Sequence, residues 1–183
     1  MTHYDTSAID QLLEKRYSPR TFSETEIDEG LLLQILGAAR FAPSSFNEQP
    51  WRFIYATKSQ SDHYSNLLST LAEGNKDWAS TAPVLVLAIA KTNFSANEKP
   101  NRHAWYDTGA AVAHITLKAS SHDIYIHQMA GFSTTKAKEL FAIPEGFEAV
   151  AMIAMGYNAE SEHQSKKKKK LDEIAFRGAW GLK

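Results

Sequence analysis

The chain of 183 residues reads as a three-layer sandwich, α/β or α+β, in which helices flank a mixed central sheet. Three observations predict this. Apolar residues recur at i, i+3 and i+4 in several segments, short strand-like runs alternate with those segments, and two runs, VLVLAIA and EAVAMIAM, are apolar almost throughout, as strands buried on both faces must be. No internal repeat or linker divides the chain, so one domain over residues 1–183 is expected.

The elements follow in order. Ile9, Leu12 and Leu13 give a helix over Ala8 to Lys15, which must end before Ser18-Pro19 because the residue preceding proline avoids the helical region. A second helix is expected from about Ile27 to Phe41, with Ser23 and Thr25 as caps and Leu31, Leu32, Ile35 and Leu36 on its apolar side. The decapeptide APSSFNEQPW follows at once. Arg52 to Ala56 reads as a strand, Gln60 to Ala72 as a helix, and Val84 to Ala90 as a central strand. Lys91 to Asn101 is a polar loop. A long alanine-rich helix over Arg102 to Ser121 offers small residues for close packing. Ile124 to Gln128 is strand-like, Ser133 to Phe141 helical, and Glu148 to Met155 a fourth strand. A polar, lysine-rich tail runs from Gly156.

Composition narrows the function classes. Apolar residues make up 43% of the chain and charged residues 22%, average for a globular protein and unlike a disordered or membrane-spanning one. A net charge of −1 gives no global case for nucleic acid. There is no cysteine, hence no disulfide or thiolate metal ligand, and the N-terminus has no secretory pattern, so a cytoplasmic location is expected. GxGxxG, GxxxxGK[ST], HExxH and GxSxG are all missing. The seven histidines are scattered; His122 and His127 have no third ligand at metal-binding spacing, and no metal site is expected.

Four segments remain that can bind an anion or an amide-bearing ring. In KRYSPRTF, Arg16, Ser18 and Arg20 project two guanidiniums and a hydroxyl from one extended stretch, a match for a phosphate and a neighbouring polyol; a solvated loop is the plainer reading. In APSSFNEQPW, Pro43 and Pro50 stiffen a backbone that presents Ser44, Ser45, Asn47 and Gln49, donors and acceptors suited to the N–C=O edge of a heterocycle; a turn held by its own side chains is the alternative. HQMAGF ends a strand at Gly131, where backbone can approach a flat ligand. Lys166 to Lys170 form a cationic run. Phosphate, polyol and planar amide-bearing ring together describe FMN.

RYSPRTF, then a helix, then APSSFNEQPWRF resembles the nitroreductase family of FMN-dependent oxidoreductases, and the likeness continues through DWASTAPVLVLAIA, WYDTGAAVAHITLKAS, HQMAGF and KKKKLDEI. The resemblance implies the α+β nitroreductase-like fold and a homodimer whose two FMN sites are built from both chains. It implies that Arg16, Ser18 and Arg20 hold phosphate and ribityl chain, with backbone from Tyr17; that Pro43, Ser44, Ser45 and Asn47 reach the partner's flavin; and that Met129, Ala130 and Gly131 line the isoalloxazine. Asn75 would touch its pyrimidine edge, and Lys168 or Lys169 would complete the phosphate clamp. Departures from the family pattern are Tyr17, an all-lysine basic segment, Lys170 where proline is usual, and SSHDI after the long helix. HQM is similar to the branch that includes thermophilic flavin reductases.

The implied activity is hydride transfer from NAD(P)H to FMN and on to a nitroaromatic, quinone or free flavin by a ping-pong mechanism, with the chemistry on the flavin and no catalytic side chain. Trp78, Trp105, Phe46 and the loop from Lys91 to Asn101 are expected to shape the substrate pocket. The alternatives are a non-catalytic FMN-binding or flavin-delivering module and a non-flavin anion-binding scaffold.

Overall fold

The computed structural model describes residues 7–159 and 166–182. Helix α1 (Ala8–Lys15) is closed by a reciprocal cap: Ser7 Oγ accepts from the Asp10 N–H, and the Asp10 carboxylate accepts from the Ser7 N–H. The Ser7 hydroxyl also donates to Asp10 Oδ2 at 2.7 Å, and this bond first, the Ser7 N–H second, lowers the Asp10 pKa. Helix α2 (Glu29–Gly37) starts later than the sequence suggested, because its cap is Asp28, whose Oδ1 accepts from the Leu31 N–H at 3.0 Å. Ser23 lies too far upstream to serve the helix; its hydroxyl accepts from the Thr25 N–H instead. A 3₁₀ turn (Ala38–Phe41) continues α2.

Strand β1 (Trp51–Thr57) leads to α3 (Ser61–Thr70) and then to α4 (Glu73–Ala79), a seven-residue helix that the sequence does not announce. EGNKDWA has no apolar periodicity, so its helicity comes from tertiary packing. Strand β2 (Val84–Lys91), helix α5 (Ala104–Ser120), strand β3 (Ile124–Met129), helix α6 (Thr134–Leu140, capped by Ser133) and strand β4 (Phe147–Tyr157) complete the order, with a last 3₁₀ turn at Leu171–Glu173.

The four strands lie in the order β1-β2-β4-β3. Every pairing between them is antiparallel, so the mixed sheet expected from the sequence is corrected while the α+β class and the flanking helices stand. Two helices separate β1 from β2, so the chain re-enters beside β1 in the opposite sense. α6, about 10 Å long, is too short to carry the chain back along a strand, so β4 turns against β3. β2 and β3 share a direction, but β4 separates them.

Residue alternation along the strands sends Val84, Val86 and Ala88 to one face and Leu85, Leu87 and Ile89 to the other. The first face packs against Leu32 and Ile35 of α2 and Ala111, Ile115 and Ala119 of α5, the small-residue helix serving the close approach its composition predicts. The second packs against Leu67 of α3, Ala79 of α4 and Ala137 of α6. On this side Tyr64 Oη donates to Ala82 O at 2.6 Å, and burial raises its pKa to about 12. α1 buries none of its residues; Ile9 and Leu13 are 48% and 53% exposed. No helix among the described residues is long and apolar enough to cross a membrane.

Candidate functional site

The cofactor residues expected from the sequence fall into separate groups. The first is built on β3 and α4. Tyr125, His127 and Met129 share one face of β3, and the stretch from Arg16 to Arg20 lies along it. Tyr17 packs its ring on Tyr125, centroids 4.9 Å apart, so its side chain turns inward. His127 Nδ1 meets Pro19 O at 2.8 Å; a carbonyl can only accept, so Nδ1 carries the proton. The Trp78 ring lies 4.4 Å from His127, and the Arg20 guanidinium stands 5.9 Å from the Trp78 ring centre, a cation–π distance. Pro19 is buried, Arg16 half-buried, and Ser18 and Arg20 exposed.

Helix α4 presents Asn75 and Trp78, three positions apart, to the same place. Asn75 Nδ2 donates to Gly131 O at 3.0 Å, and the Ala72 N–H donates to the same oxygen at 2.9 Å. A Cβ at Gly131 would sit 2.7 Å from Asn75 Nδ2, so the close approach that glycine permits here is made by the Asn75 amide. Met129 is buried, whereas Ala130 and Gly131 are exposed. The Trp78 indole N–H is buried with no hydrogen-bond partner among the described residues. Two guanidiniums, an exposed backbone at a strand end and an orphaned donor fit a phosphorylated, ring-bearing ligand.

The second group is the loop of Pro43, Ser44, Ser45 and Asn47. Ser44 Oγ accepts from the Gln49 N–H, and the Ser45 N–H donates to Asp107 Oδ2 at 2.9 Å. Phe46, Asn47 and Gln49 all have positive φ (53°, 56° and 50°), which costs about 1–2 kcal/mol in residues such as Phe46 and Gln49 and less in Asn47, whose short amide side chain tolerates this region. Gln49 Nε2 donates to Asn47 Oδ1 at 3.3 Å, Trp51 is buried in the core, and Phe46 is 92% exposed. This loop leads into β1, while the first group sits on β3. The Met129–Gly131 end of β3 points to the same end of the sheet as this loop but lies at the opposite edge, three strand spacings or about 14 Å across, while the 16–20 stretch lies further along β3, against Tyr125 and His127.

Lys168 and Lys169 are exposed, in a segment without regular structure, and among the described residues no contact joins them to either group. A cavity of about 410 Å³ bordered by Glu24, Ile27, Asp28, Tyr55 and Lys58 includes none of the expected residues. A second, of about 400 Å³, lies between Trp105, Thr134, Lys138, Phe147 and Glu148, where Trp105 Nε1 donates to Glu148 Oε2 at 2.7 Å.

Sequence reasoning missed Asp107, His127 and Glu48. Asp107 was legible in principle: Ala104, Asp107 and Ala111 form one buried stripe of α5, and an acid on such a stripe signals a partner. Glu48 and His127 carry no comparable local signal.

The nitroreductase family model matches residues 13–70 and 54–157. A crystal structure described as an oxidoreductase containing FMN is 32% identical, superposes with a TM-score of 0.88 and covers 100% of both chains. A nitroreductase family protein from Clostridium novyi NT is 28% identical with a TM-score of 0.72 over 96% of each chain. An NADH dehydrogenase of Thermus thermophilus is 25% identical over 181 residues, 82% of this chain and 87% of its own. These similarities define the class: the chain is an oxidoreductase. It belongs to the nitroreductase family.

Proposed function

We propose that this protein is a homodimeric, FMN-dependent oxidoreductase that oxidises NAD(P)H and reduces nitroaromatics, quinones or free flavin by a ping-pong mechanism. The observation that carries this reading is the placement of Arg16, Ser18 and Arg20 along the β3 face that ends at Met129, Ala130 and Gly131, with Asn75 fixed on Gly131. Bound FMN would supply the hydride acceptor and donor that no side chain here provides.

The residues divide the remaining tasks. Arg16 and Arg20 bind the phosphate through charge-assisted bonds, with Ser18 and the Tyr17 backbone on the ribityl chain. Met129, Ala130 and Gly131 line the ring, and Asn75 meets its pyrimidine edge. Lys168 or Lys169 adds a cation to the phosphate. Pro43, Ser44, Ser45 and Asn47 serve the flavin of the partner, which accounts for a loop built 14 Å or so from its own β3. The exposed Ile9 and Leu13 of α1 and Leu171, Ile174, Trp180 and Leu182 of the tail, the last four 56–91% exposed, give a second copy apolar surface to cover. Donor and acceptor use one pocket in turn, which gives ping-pong kinetics.

Purified protein should show a flavin absorption spectrum that NAD(P)H bleaches anaerobically and a nitroaromatic restores, with parallel double-reciprocal plots. Arg16→Ala should weaken FMN binding by roughly 10- to 150-fold, the equivalent of about 1.5–3 kcal/mol. Bound FMN that NAD(P)H fails to bleach defeats the enzymatic reading; unchanged FMN affinity in Arg16→Ala defeats the phosphate site.

A further inference from the structure

A second set of ties, besides the one to Asp107, holds the loop of residues 42–51. Glu48 Oε1 accepts from both the Ser95 N–H (2.9 Å) and the Ser95 hydroxyl (2.6 Å), and that hydroxyl accepts from Lys91 Nζ at 2.8 Å. Lys91 Nζ is itself 3.8 Å from Glu48 Oε1, and the two side chains are only 16% and 9% exposed. A cation, a hydroxyl and a carboxylate thus form one polarised, largely dry chain, in which the serine both accepts and donates.

The turn that supplies Ser95 is itself well tied. Asn93 bridges to Pro100, the Phe94 N–H donates to Lys99 O, and the Lys91 N–H returns to Pro50 O. Phe46, next but one to Glu48, meets Phe94 edge-on with ring centres 5.7 Å apart. Two surface segments are therefore fastened by one carboxylate, directly beside Asn47, and the three left-handed residues lie within reach of that fastening.

We propose that Glu48 is a positioning residue: clasped to the 91–95 segment through Ser95 and Lys91, it holds Phe46 and Asn47 in the left-handed conformation in which they are offered to the partner's flavin. This rests on the flavin reading above. Without the clasp, Phe46 and Asn47 relax towards unstrained φ values, and the loop must be reordered each time the ligand binds.

The test measures FMN affinity of the full chain, by quenching of flavin fluorescence, for wild type, Glu48→Ala, Ser95→Ala and the double variant. The thermal midpoint of each FMN-free protein and the visible circular dichroism of bound flavin are recorded alongside. Each single variant should bind FMN about tenfold more weakly, close to one charge-assisted bond, and show altered flavin dichroism. The double variant should be no weaker than Glu48→Ala within twofold, because both changes open the same clasp. Ser95→Ala, on an exposed turn, keeps the test available should Glu48→Ala fold poorly. Wild-type affinity in both single variants overturns the clasp and leaves the flavin reading intact. So do additive losses, or affinity losses with flavin dichroism unchanged. A wild-type protein that takes up no FMN removes the reading beneath the clasp, and both fall together.

Discussion

Replacing Gly131 with alanine tests whether the strand end and α4 are locked together as the geometry indicates. The new Cβ would lie 2.7 Å from Asn75 Nδ2, roughly 0.7 Å inside ordinary contact, while its next neighbour, Ala72 Cβ at 3.7 Å, is undisturbed. The Asn75 amide must therefore swing away and lose its 3.0 Å bond to Gly131 O. Overpacking of this kind costs about 1–3 kcal/mol and the lost bond about 0.5–1.5 kcal/mol. Alanine returns about 0.4–1 kcal/mol by restricting the unfolded chain, leaving a net loss near 2 kcal/mol. Urea unfolding of the FMN-free protein reads this directly, and the thermal midpoint should fall by roughly 4–8 °C. In Gly131→Ala/Asn75→Ala the clash has no partner, so the double variant should lose only about 1 kcal/mol, less than the sum of the singles. A Gly131→Ala protein within about 0.5 kcal/mol of wild type, or strict additivity in the double variant, would refute the reasoning.

Two further expectations concern buried polar groups. Because burial raises the Tyr64 pKa to about 12 from 10.0, the unfolded chain releases this proton first. The stability it contributes is complete below pH 10 and is lost as pH rises through about 12, a difference of about 2–3 kcal/mol. Urea unfolding from pH 8 to 12 should show this component in wild type and not in Tyr64→Phe. Asp107→Ala leaves the Ser45 N–H without its acceptor and should cost about 1–3 kcal/mol, whereas Asp107→Asn, which keeps an oxygen there, should cost less than half as much; chemical denaturation of both variants decides.

The parts of the fold that were legible are those governed by neighbours in sequence. α1 was readable to the residue because its cap, its apolar spacing and the Ser18-Pro19 stop are all local. The four strands were readable because their apolar runs are dense, although β4 extends to Tyr157, two residues beyond expectation. What escaped depends on distant partners. α4 owes its helicity to Ala72 and Asn75 meeting Gly131, and Asp28 displaced Ser23 as cap because cap choice turns on where the backbone enters the helix. The antiparallel sheet depends on what joins the strands, two helices between β1 and β2 and the short α6 between β3 and β4, rather than on any strand. Of the candidate site, the 16–20 stretch, Asn75 and Gly131 were expected from the sequence; in the structure Arg20 stands over Trp78 of the helix that carries Asn75, and Asn75 bonds Gly131 O. The contacts that support them, His127 on Pro19 O and Trp78 beside Arg20, were not, although both residues were singled out, since a lone histidine or tryptophan carries no signal of what lies across from it.

The loop of residues 42–51 is where folding and function pull in different directions. Three residues with side chains occupy a backbone region that glycine would enter at far lower cost, and Phe46 stands 92% exposed while doing so. Stability alone would favour glycine at position 46 or 47, which would relieve strain and remove an apolar side chain from water. The chain instead holds the conformation with Asp107 and with the Glu48–Ser95–Lys91 chain. The Glu48–Ser95 tie does little for the core, since it joins two surface segments beside exposed residues. Its effect is to fix where the side chains of Phe46 and Asn47 stand before anything binds. A loop so fixed, at the opposite edge from the residues it would complement, is shaped for a surface that its own chain does not supply, which is what the dimer proposed above requires.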